Sequence, residues 1–163
     1  MTVHPIEPVY DLSSRVLILG SFPSVKSRET GFFYGHPQNR FWRVLAAALQ
    51  TETPRTIAEK KTFLLENGIA LWDVVGACEI TGSSDVSIRN AVPNDLGAVF
   101  AAAPVRAVFT NGKTADRLYD RFFGGAVSLP KYCLPSTSPA NASYGFEKLL
   151  QEWKTVADFL SAK

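Results

Sequence analysis

The sequence predicts an α/β fold, a three-layer sandwich in which helices cover both faces of a mostly parallel central sheet. Short apolar runs that stop at glycine, proline or Asn-Gly are typical of buried strands, and apolar residues at spacings of three and four indicate helices. The two kinds of segment alternate along the chain, which favours a parallel sheet. The predicted strands cover residues 15–20, 69–75, 105–110 and 132–134, and the predicted helices begin near Pro37 and cover 57–66, 95–102, 114–122 and 144–160.

Length and composition indicate one domain spanning residues 1–163. A chain of 163 residues that is 46% hydrophobic and 20% charged can enclose one buried core but not two. It has no basic start followed by an apolar run and no stretch near the ~18 apolar residues of a membrane span, so we expect a cytoplasmic protein with no membrane partner. We also expect a monomer. The net charge of +2 permits a nucleic-acid partner without requiring one.

The sequence lacks the signals of several kinds of site. Cys78 and Cys133 stand far apart with no further ligand at suitable spacing, so a zinc knuckle or iron–sulfur cluster is excluded, and both cysteines are expected in the core. Ser21 and Ser24 show no nucleophile-elbow spacing, and no glycine-rich phosphate loop follows the first strand. We therefore expect neither a metal nor a cofactor.

Three unusual loops follow predicted strands. They cover residues 21–39, 111–113 and 135–141. Ligands of open parallel sheets bind in the crevice outside the carboxyl ends of the strands. We therefore expect these loops to converge and form one cleft.

The first loop is rich in aromatic residues from Phe32 to Trp42. Phe41 and Trp42 share the apolar helical face with Leu45, which predicts that they belong to the core. Three consecutive rings at Phe32, Phe33 and Tyr34 cannot all enter one core, so at least one is expected to line the cleft. Aromatic faces stack on bases and contribute about 1–3 kcal/mol per base.

The segment 134–141, LPSTSPAN, combines two prolines with small hydroxylated residues. Its hydroxyls, together with free backbone N–H groups, would suit phosphate oxygens, which accept half or more of the hydrogen bonds between protein and DNA. A simple proline-rich turn is the alternative for this segment taken alone.

Together, three motifs resemble the uracil-DNA glycosylase superfamily. They are GSFPS at 20–24, GHPQNRFW at 35–42 and LPSTSPAN at 134–141, and they occur in that order over nearly the whole chain. The middle motif is similar to mismatch-specific uracil/thymine glycosylases, and the combination most resembles the hypoxanthine-DNA glycosylase branch, family 6. The resemblance implies the same α/β sandwich and a monofunctional enzyme that flips a deaminated base from DNA and hydrolyses its N-glycosidic bond.

The resemblance also implies roles for individual residues. Asn39 would be the catalytic residue, because Ser21-Phe22 replaces the asparagine or acidic residue by which other branches position the attacking water. Ala140 falls where relatives insert a large apolar residue into the base stack, and it is too small to fill that space alone. The expected base-binding residues are Phe22, Phe33, Tyr34 and Asn111, and the expected DNA-binding residues are Ser24, His36, Arg40, Ser136, Thr137, Ser138, Ala140 and Asn141.

Other interpretations remain open on the residues themselves. Asn111-Gly112 could be a plain turn, and Lys113 could form a Schiff base, although a lysine at a helix start is more often solvent-facing. The partner is expected to be DNA containing deaminated bases, with hypoxanthine first. A uracil-directed or mismatch-directed glycosylase and a catalytically silent binder of modified DNA are the alternatives.

A first prediction concerns the basic residues Lys26, Arg28, Arg40 and Arg43 near the expected cleft entrance. DNA affinity should fall as salt rises, because each neutralised phosphate contributes about −0.9 to the slope of log K against log salt. Fluorescence anisotropy on duplex DNA at several salt concentrations measures this slope. An affinity that does not change with salt would contradict the prediction of phosphate contacts.

Overall fold

The computed structural model describes residues 1–162. Its strands are β1 (Thr2–Val3), β2 (Val16–Gly20), β3 (Ile69–Asp73), β4 (Val75–Glu79), β5 (Arg89–Pro93), β6 (Ala107–Asn111) and β7 (Lys131–Leu134). Its α-helices are α1 (Val25–Thr30), α2 (Phe41–Ala48), α3 (Ile57–Glu66), α4 (Leu96–Ala102), α5 (Lys113–Phe123) and α6 (Phe146–Ser161). A short 3₁₀ helix covers Asp85–Ser87.

Four parallel strands form the central sheet in the order β3-β2-β6-β7. Every residue of β2 is buried, because helices cover both of its faces. Val16 and Ile18 belong to a core cluster shared with α2, α3 and α6, whereas Leu17 and Leu19 belong to a second cluster shared with α4 and α5. This division follows the alternation of side chains along a strand. The predicted three-layer α/β sandwich is therefore confirmed.

A second, antiparallel sheet was not predicted. It has the order β1-β4-β5. Its strands are short or largely exposed, so they lack the continuous apolar runs by which the central strands were predicted. The predicted strand at 69–75 is divided between β3 and β4, because the chain leaves the central sheet after Asp73 and enters the second sheet at Val75.

Two further details differ from the predictions. Helix α2 begins at Phe41 and not near Pro37, since the Asn39 side chain accepts a hydrogen bond from the Phe41 N–H at 2.9 Å. Cys78 is buried as expected, but Cys133 is exposed on β7 at the margin of the sheet.

Within residues 1–162, no helix combines the length and apolar character needed to span a membrane. The same part of the chain contains no cluster of three or more His, Cys, Asp and Glu side chains suited to a metal ion.

The carboxyl ends of the four central strands lie along one edge of the sheet, as parallel pairing requires. This edge carries Gly20 from β2, Asp73 from β3, Asn111 from β6 and Leu134 from β7. Residues far apart in the sequence are thereby brought together at the place where the unusual loops begin.

Thr56 is the N-cap of α3, far in sequence from the residues at this edge, and its contribution to stability can be tested. Its side chain accepts a hydrogen bond from the Glu59 N–H at 3.0 Å, and the Glu59 carboxylate accepts one from the Thr56 N–H, which makes a capping box for α3. Thr56→Ala should lower the free energy of unfolding by about 0.5–2 kcal/mol in urea denaturation. Unchanged stability would show that this cap contributes nothing.

Candidate active site

A cleft of about 1040 Å³ opens at the carboxyl edge of the central sheet. It is lined by residues from all three unusual loops, so the predicted convergence is observed. A fourth segment, the loop that carries Ser83 to Val86, completes the wall. A separate cavity of about 620 Å³ lies between α4 and the end of α5. Its lining is mainly apolar, and Asp95 is its only titratable lining residue, so the larger cleft is the candidate active site.

Asn111 joins the end of β6 to the segment 134–141. Its Nδ2 donates to the Thr137 hydroxyl at 3.0 Å, and its Oδ1 accepts from the Thr137 N–H at 3.0 Å. Gly112 follows with φ of +96°, and a Cβ there would lie 3.1 Å from Ser136 Cβ. The Asn-Gly pair is therefore a turn that also brings the two loops into contact. Thr137 is fully buried, so its role is internal, in contrast to the DNA contact expected for it.

Arg40 holds the other side of the same segment. Its guanidinium donates to the carbonyl oxygens of Tyr144, Ser138 and Asn141, the last two at 3.3 and 3.2 Å. The Arg40 N–H also donates to the Thr137 carbonyl at 3.1 Å. A guanidinium bound to three carbonyl groups orders the loop, and a direct phosphate contact by Arg40 stays a prediction.

Four backbone N–H groups of the segment are already bonded within the protein, so the expectation of free N–H groups does not hold for them. The N–H of Thr137 donates to Asn111, that of Ser138 to the Ser136 hydroxyl, and that of Ala140 to the Ser138 hydroxyl. The Asn141 N–H donates to the Ser138 carbonyl. The hydroxyls of Ser136 and Ser138 act as acceptors here, so their protons can still be donated to a ligand.

The three consecutive rings differ in their surroundings. Phe32 is 4% exposed and stacks on Trp42 with ring centroids 5.9 Å apart, so it belongs to the core. Phe33 and Tyr34 line the cleft, as expected for at least one of the three. Phe41 and Trp42 are buried in the core, as predicted.

The backbone of Tyr34 is strained. Its φ is +52°, in the left-handed region that non-glycine residues seldom adopt. The ring stacks on Phe41 at 4.1 Å between centroids, and its hydroxyl is buried without a hydrogen-bond partner among residues 1–162. Burial, followed by the negative charge of Asp73, raises the pKa of Tyr34 far above its usual range. The hydroxyl therefore remains protonated and can act as a donor.

Asn39 lines the cleft two residues before α2 begins. Its Oδ1 already accepts the Phe41 N–H, which leaves one oxygen lone pair available. Its NH₂ group makes no hydrogen bond within the described part of the chain, so the donor is available to a ligand. Both the local helix-start role and a role toward a ligand are thus compatible with its position.

The remaining predicted residues also border the cleft. Phe22, Ser24, His36, Ala140 and Asn141 all belong to its lining. Phe22 is 8% exposed, and Ser24 is the N-cap of α1, where its hydroxyl accepts from the Ser27 N–H. Lys113 is exposed at the start of α5 and also lines the cleft.

Sequence reasoning missed three acidic residues of the cleft, Asp73, Asp85 and Glu152. Asp73 is 3% exposed, and its Oδ2 lies 2.7 Å from His4 Nε2. Asp85 accepts a hydrogen bond from the Ser21 hydroxyl at 2.8 Å. Burial raises the pKa of the Asp85 carboxyl, the Ser21 hydroxyl lowers it, and Asp73 raises it further. The position of Asp73 at the end of an apolar run was a signal for it, whereas nothing local marked Asp85 or His4.

None of the four basic residues expected near the cleft entrance is part of the cleft lining. Lys26 and Arg43 are exposed. Arg28 donates to the Gly82 carbonyl at 2.7 Å, and its guanidinium lies 5.6 Å from the centre of the Phe22 ring. Arg28 therefore joins the 83–86 wall to the first motif.

Arg40→Lys tests the structural role of the guanidinium. Lysine keeps the charge but cannot reach three carbonyl groups as a planar fork. The variant should lose about 1–3 kcal/mol of unfolding free energy, and the salt slope of DNA binding should be unchanged. Urea denaturation and anisotropy titrations measure the two quantities. Full stability with a weaker affinity for DNA would instead indicate that the guanidinium contacts the phosphates.

Comparisons with known proteins agree with this geometry. Residues 7–160 match the family model of the uracil DNA glycosylase superfamily. A hypoxanthine DNA glycosylase of Methanosarcina acetivorans is 34% identical over 150 residues, which cover 91% of this chain and 93% of that protein. Its namesake in Methanosarcina barkeri is 34% identical over 108 residues, 65% and 68% of the two chains. A solution NMR structure from M. acetivorans, provisionally named a uracil DNA glycosylase, superposes with a TM-score of 0.83 at 31% identity and covers 96% of this chain and 97% of its own. The chain belongs to the uracil DNA glycosylase superfamily.

Proposed function

We propose that this protein is a DNA glycosylase that removes hypoxanthine from DNA by hydrolysing the N-glycosidic bond. The observation that carries the proposal is the Asn39 amide, which lines a cleft of about 1040 Å³ beside Phe33 and Tyr34. The relatives over most of the chain are named hypoxanthine DNA glycosylases, which supports hypoxanthine as the base.

The reaction needs few groups from the protein. The bond between C1′ and N9 breaks, the oxygen of a water molecule adds to C1′, and the base leaves with a proton. Positive charge develops on the sugar, so positioned dipoles stabilise the transition state without a covalent bond to the enzyme. The second lone pair of Asn39 Oδ1 orients the water, and the NH₂ group donates to the departing base.

The local bond of Asn39 serves this role. An amide held by the Phe41 N–H has a fixed orientation, because the backbone donor identifies the oxygen. A fixed amide needs little reorganisation when charge develops, which is the condition under which a dipole is most effective. The helix-start contact and the catalytic role are thus two functions of one side chain.

The cleft offers both stacking and polar groups to a flipped nucleotide. Phe33 and Tyr34 line it, and so do Ser136 and Ser138, whose hydroxyls can donate to a ligand. Flipping costs a few kcal/mol, which contacts inside the cleft have to offset. Ala140 is exposed at the rim, where its small side chain contributes little to filling the vacated stack.

We propose further that the protein acts as a monomer in the cytoplasm. Gel filtration at working concentration tests it, and a dimer would contradict it.

One assay separates the alternatives. Labelled oligonucleotides with inosine, uracil, xanthine or a thymine mismatch are incubated with the protein and then cleaved with alkali at abasic sites. Cleavage at inosine above the other bases is the expected result. Preference for uracil would assign the uracil-directed activity, and binding without cleavage would assign the silent binder.

Asn39→Ala should reduce single-turnover cleavage of inosine by roughly 10²-fold or more, the scale observed when one preorganised polar group is removed. DNA affinity should be nearly unchanged. Loss of the helix-start bond also costs about 0.5–2 kcal/mol of stability, so Thr56→Ala is the matched control that loses a helix cap away from the cleft. Cleavage at the wild-type rate would exclude a catalytic role for Asn39 and make Asn111 the next residue to test.

Asn39→Asp distinguishes the two halves of the amide. It keeps an oxygen toward the water and removes the NH₂ donor. Retained uracil cleavage with lost inosine cleavage would show that the amide chiefly binds the purine.

A further inference from the structure

Val86 is an apolar side chain that lies in solvent at the cleft. It is 82% exposed, and it belongs to the cleft lining. Of the large apolar side chains that are exposed among residues 1–162, Val86 alone lines the cleft. Single exposed apolar residues are common on protein surfaces, so the position of this one is informative and its exposure alone is not.

The turn that carries Val86, residues 81–87, is closed by its own hydrogen bonds. It ends in the 3₁₀ helix Asp85–Ser87, where the Ser87 N–H donates to the Ser84 carbonyl at 3.0 Å. The Ser87 hydroxyl donates to the same carbonyl at 2.6 Å and accepts from the Thr81 N–H at 2.9 Å. The backbone of Val86 therefore has a defined position, although its side chain is not buried.

Three further hydrogen bonds attach the turn 81–87 to the first motif and to helix α1. The Ser83 hydroxyl accepts from the Val25 N–H at 2.9 Å. The Asp85 carboxylate accepts from the Ser21 hydroxyl at 2.8 Å. The carbonyl that precedes Ser83 accepts from Arg28 at 2.7 Å. The turn is thus anchored beside the cleft, and it holds an apolar group in water where burial would be more favourable.

A nucleotide that enters the cleft from duplex DNA leaves a gap in the base stack. Unstacking and unpairing a base costs free energy, and proteins that distort a duplex commonly insert an apolar side chain between base steps. Ala140 also lines the cleft and is exposed, but its side chain is a single methyl group. The Val86 side chain is larger by two methyl groups, so it is better able to cover the base faces that flipping uncovers.

We propose that Val86 is the wedge of this protein, and that its side chain enters the gap in duplex DNA when the nucleotide enters the cleft. The proposal rests on the proposed function of the cleft, and it assigns the wedge to the turn 81–87 and not to the segment 134–141. Burial of the exposed Val86 surface against the uncovered base faces supplies the driving force. Because the turn is already ordered, little conformational entropy is lost when it contacts the DNA.

Val86→Ala shortens the wedge and leaves the hydrogen bonds of the turn intact. Single-turnover cleavage of inosine in duplex DNA should fall about five- to fifteenfold, as expected when two methyl groups are no longer buried. Val86→Leu supplies a larger apolar side chain and should restore duplex cleavage to within about twofold of the wild-type rate. Position 86 is exposed in the free protein, so neither change should alter the midpoint of urea unfolding.

The decisive comparison places the same inosine in single-stranded DNA, which has no paired stack to fill. Cleavage of this substrate by Val86→Ala should change less than about twofold, so the ratio of duplex to single-strand cleavage falls. An equal loss on both substrates would show a structural role and overturn the proposal, as would no loss on the duplex. Leu12→Ala is the matched control, since Leu12 is 81% exposed outside the cleft lining, and it should leave the ratio unchanged.

Binding to a duplex with a tetrahydrofuran abasic-site analogue tests the wedge without any cleavage. This DNA already contains the gap, so the wild type should bind it more tightly than an undamaged duplex of the same sequence. Val86→Ala should reduce this preference about fivefold or more, and Val86→Leu should keep it. No preference in the wild type, or a preference that Val86→Ala leaves unchanged, overturns the proposal. A wild type that shows the preference through Val86 but cleaves no base would refute the proposed glycosylase activity and leave the wedge standing.

Discussion

The cleft depends on hydrogen bonds that tie the segment 134–141 to the end of the parallel sheet. Asn111 binds both polar groups of Thr137, and Arg40 binds three carbonyl groups beyond it. Trp153 of α6 adds a third attachment, because its indole N–H donates to the Pro135 carbonyl at 2.9 Å. A proline-rich loop has no regular structure of its own to satisfy its backbone, so these side chains supply what a strand or helix would supply elsewhere. These bonds consequently hold the segment 134–141 in place along the cleft.

Tyr34, another residue of the cleft, has two energetically unfavourable features that packing against the core offsets. Tyr34 adopts a left-handed backbone, and its hydroxyl is buried without a partner. Each such feature costs on the order of 1–3 kcal/mol. The stack of Tyr34 on Phe41, and the indole N–H of Trp42 donated to the Phe33 carbonyl at 3.1 Å, hold the segment in place. Unfavourable features of this kind are common at ligand sites, where a bound molecule can compensate for them.

The sequence sufficed for the central sheet and for the convergence of the loops. Strands such as β2 are apolar on both faces, so their signal does not depend on partners, and parallel pairing then brings their carboxyl ends together. The second sheet escaped prediction because β1 has two residues and β5 is largely exposed. His4 and Asp73 are 69 positions apart, and no local pattern pairs them. The presence of an arginine at position 40 likewise could not indicate whether its guanidinium would bind phosphates or carbonyl groups.

Two carboxylates reach the first motif from elsewhere in the chain. Asp73 arrives from the neighbouring strand beside Gly20, and Asp85 arrives from a loop to bind Ser21. The two charges already interact, since Asp73 raises the pKa of Asp85. An acidic side chain at position 21 would add a third negative charge to the same space, where like charges strongly oppose ionisation. The glycine and serine at positions 20 and 21 add no further charge to this pair of carboxylates, and the Ser21 hydroxyl instead donates to Asp85.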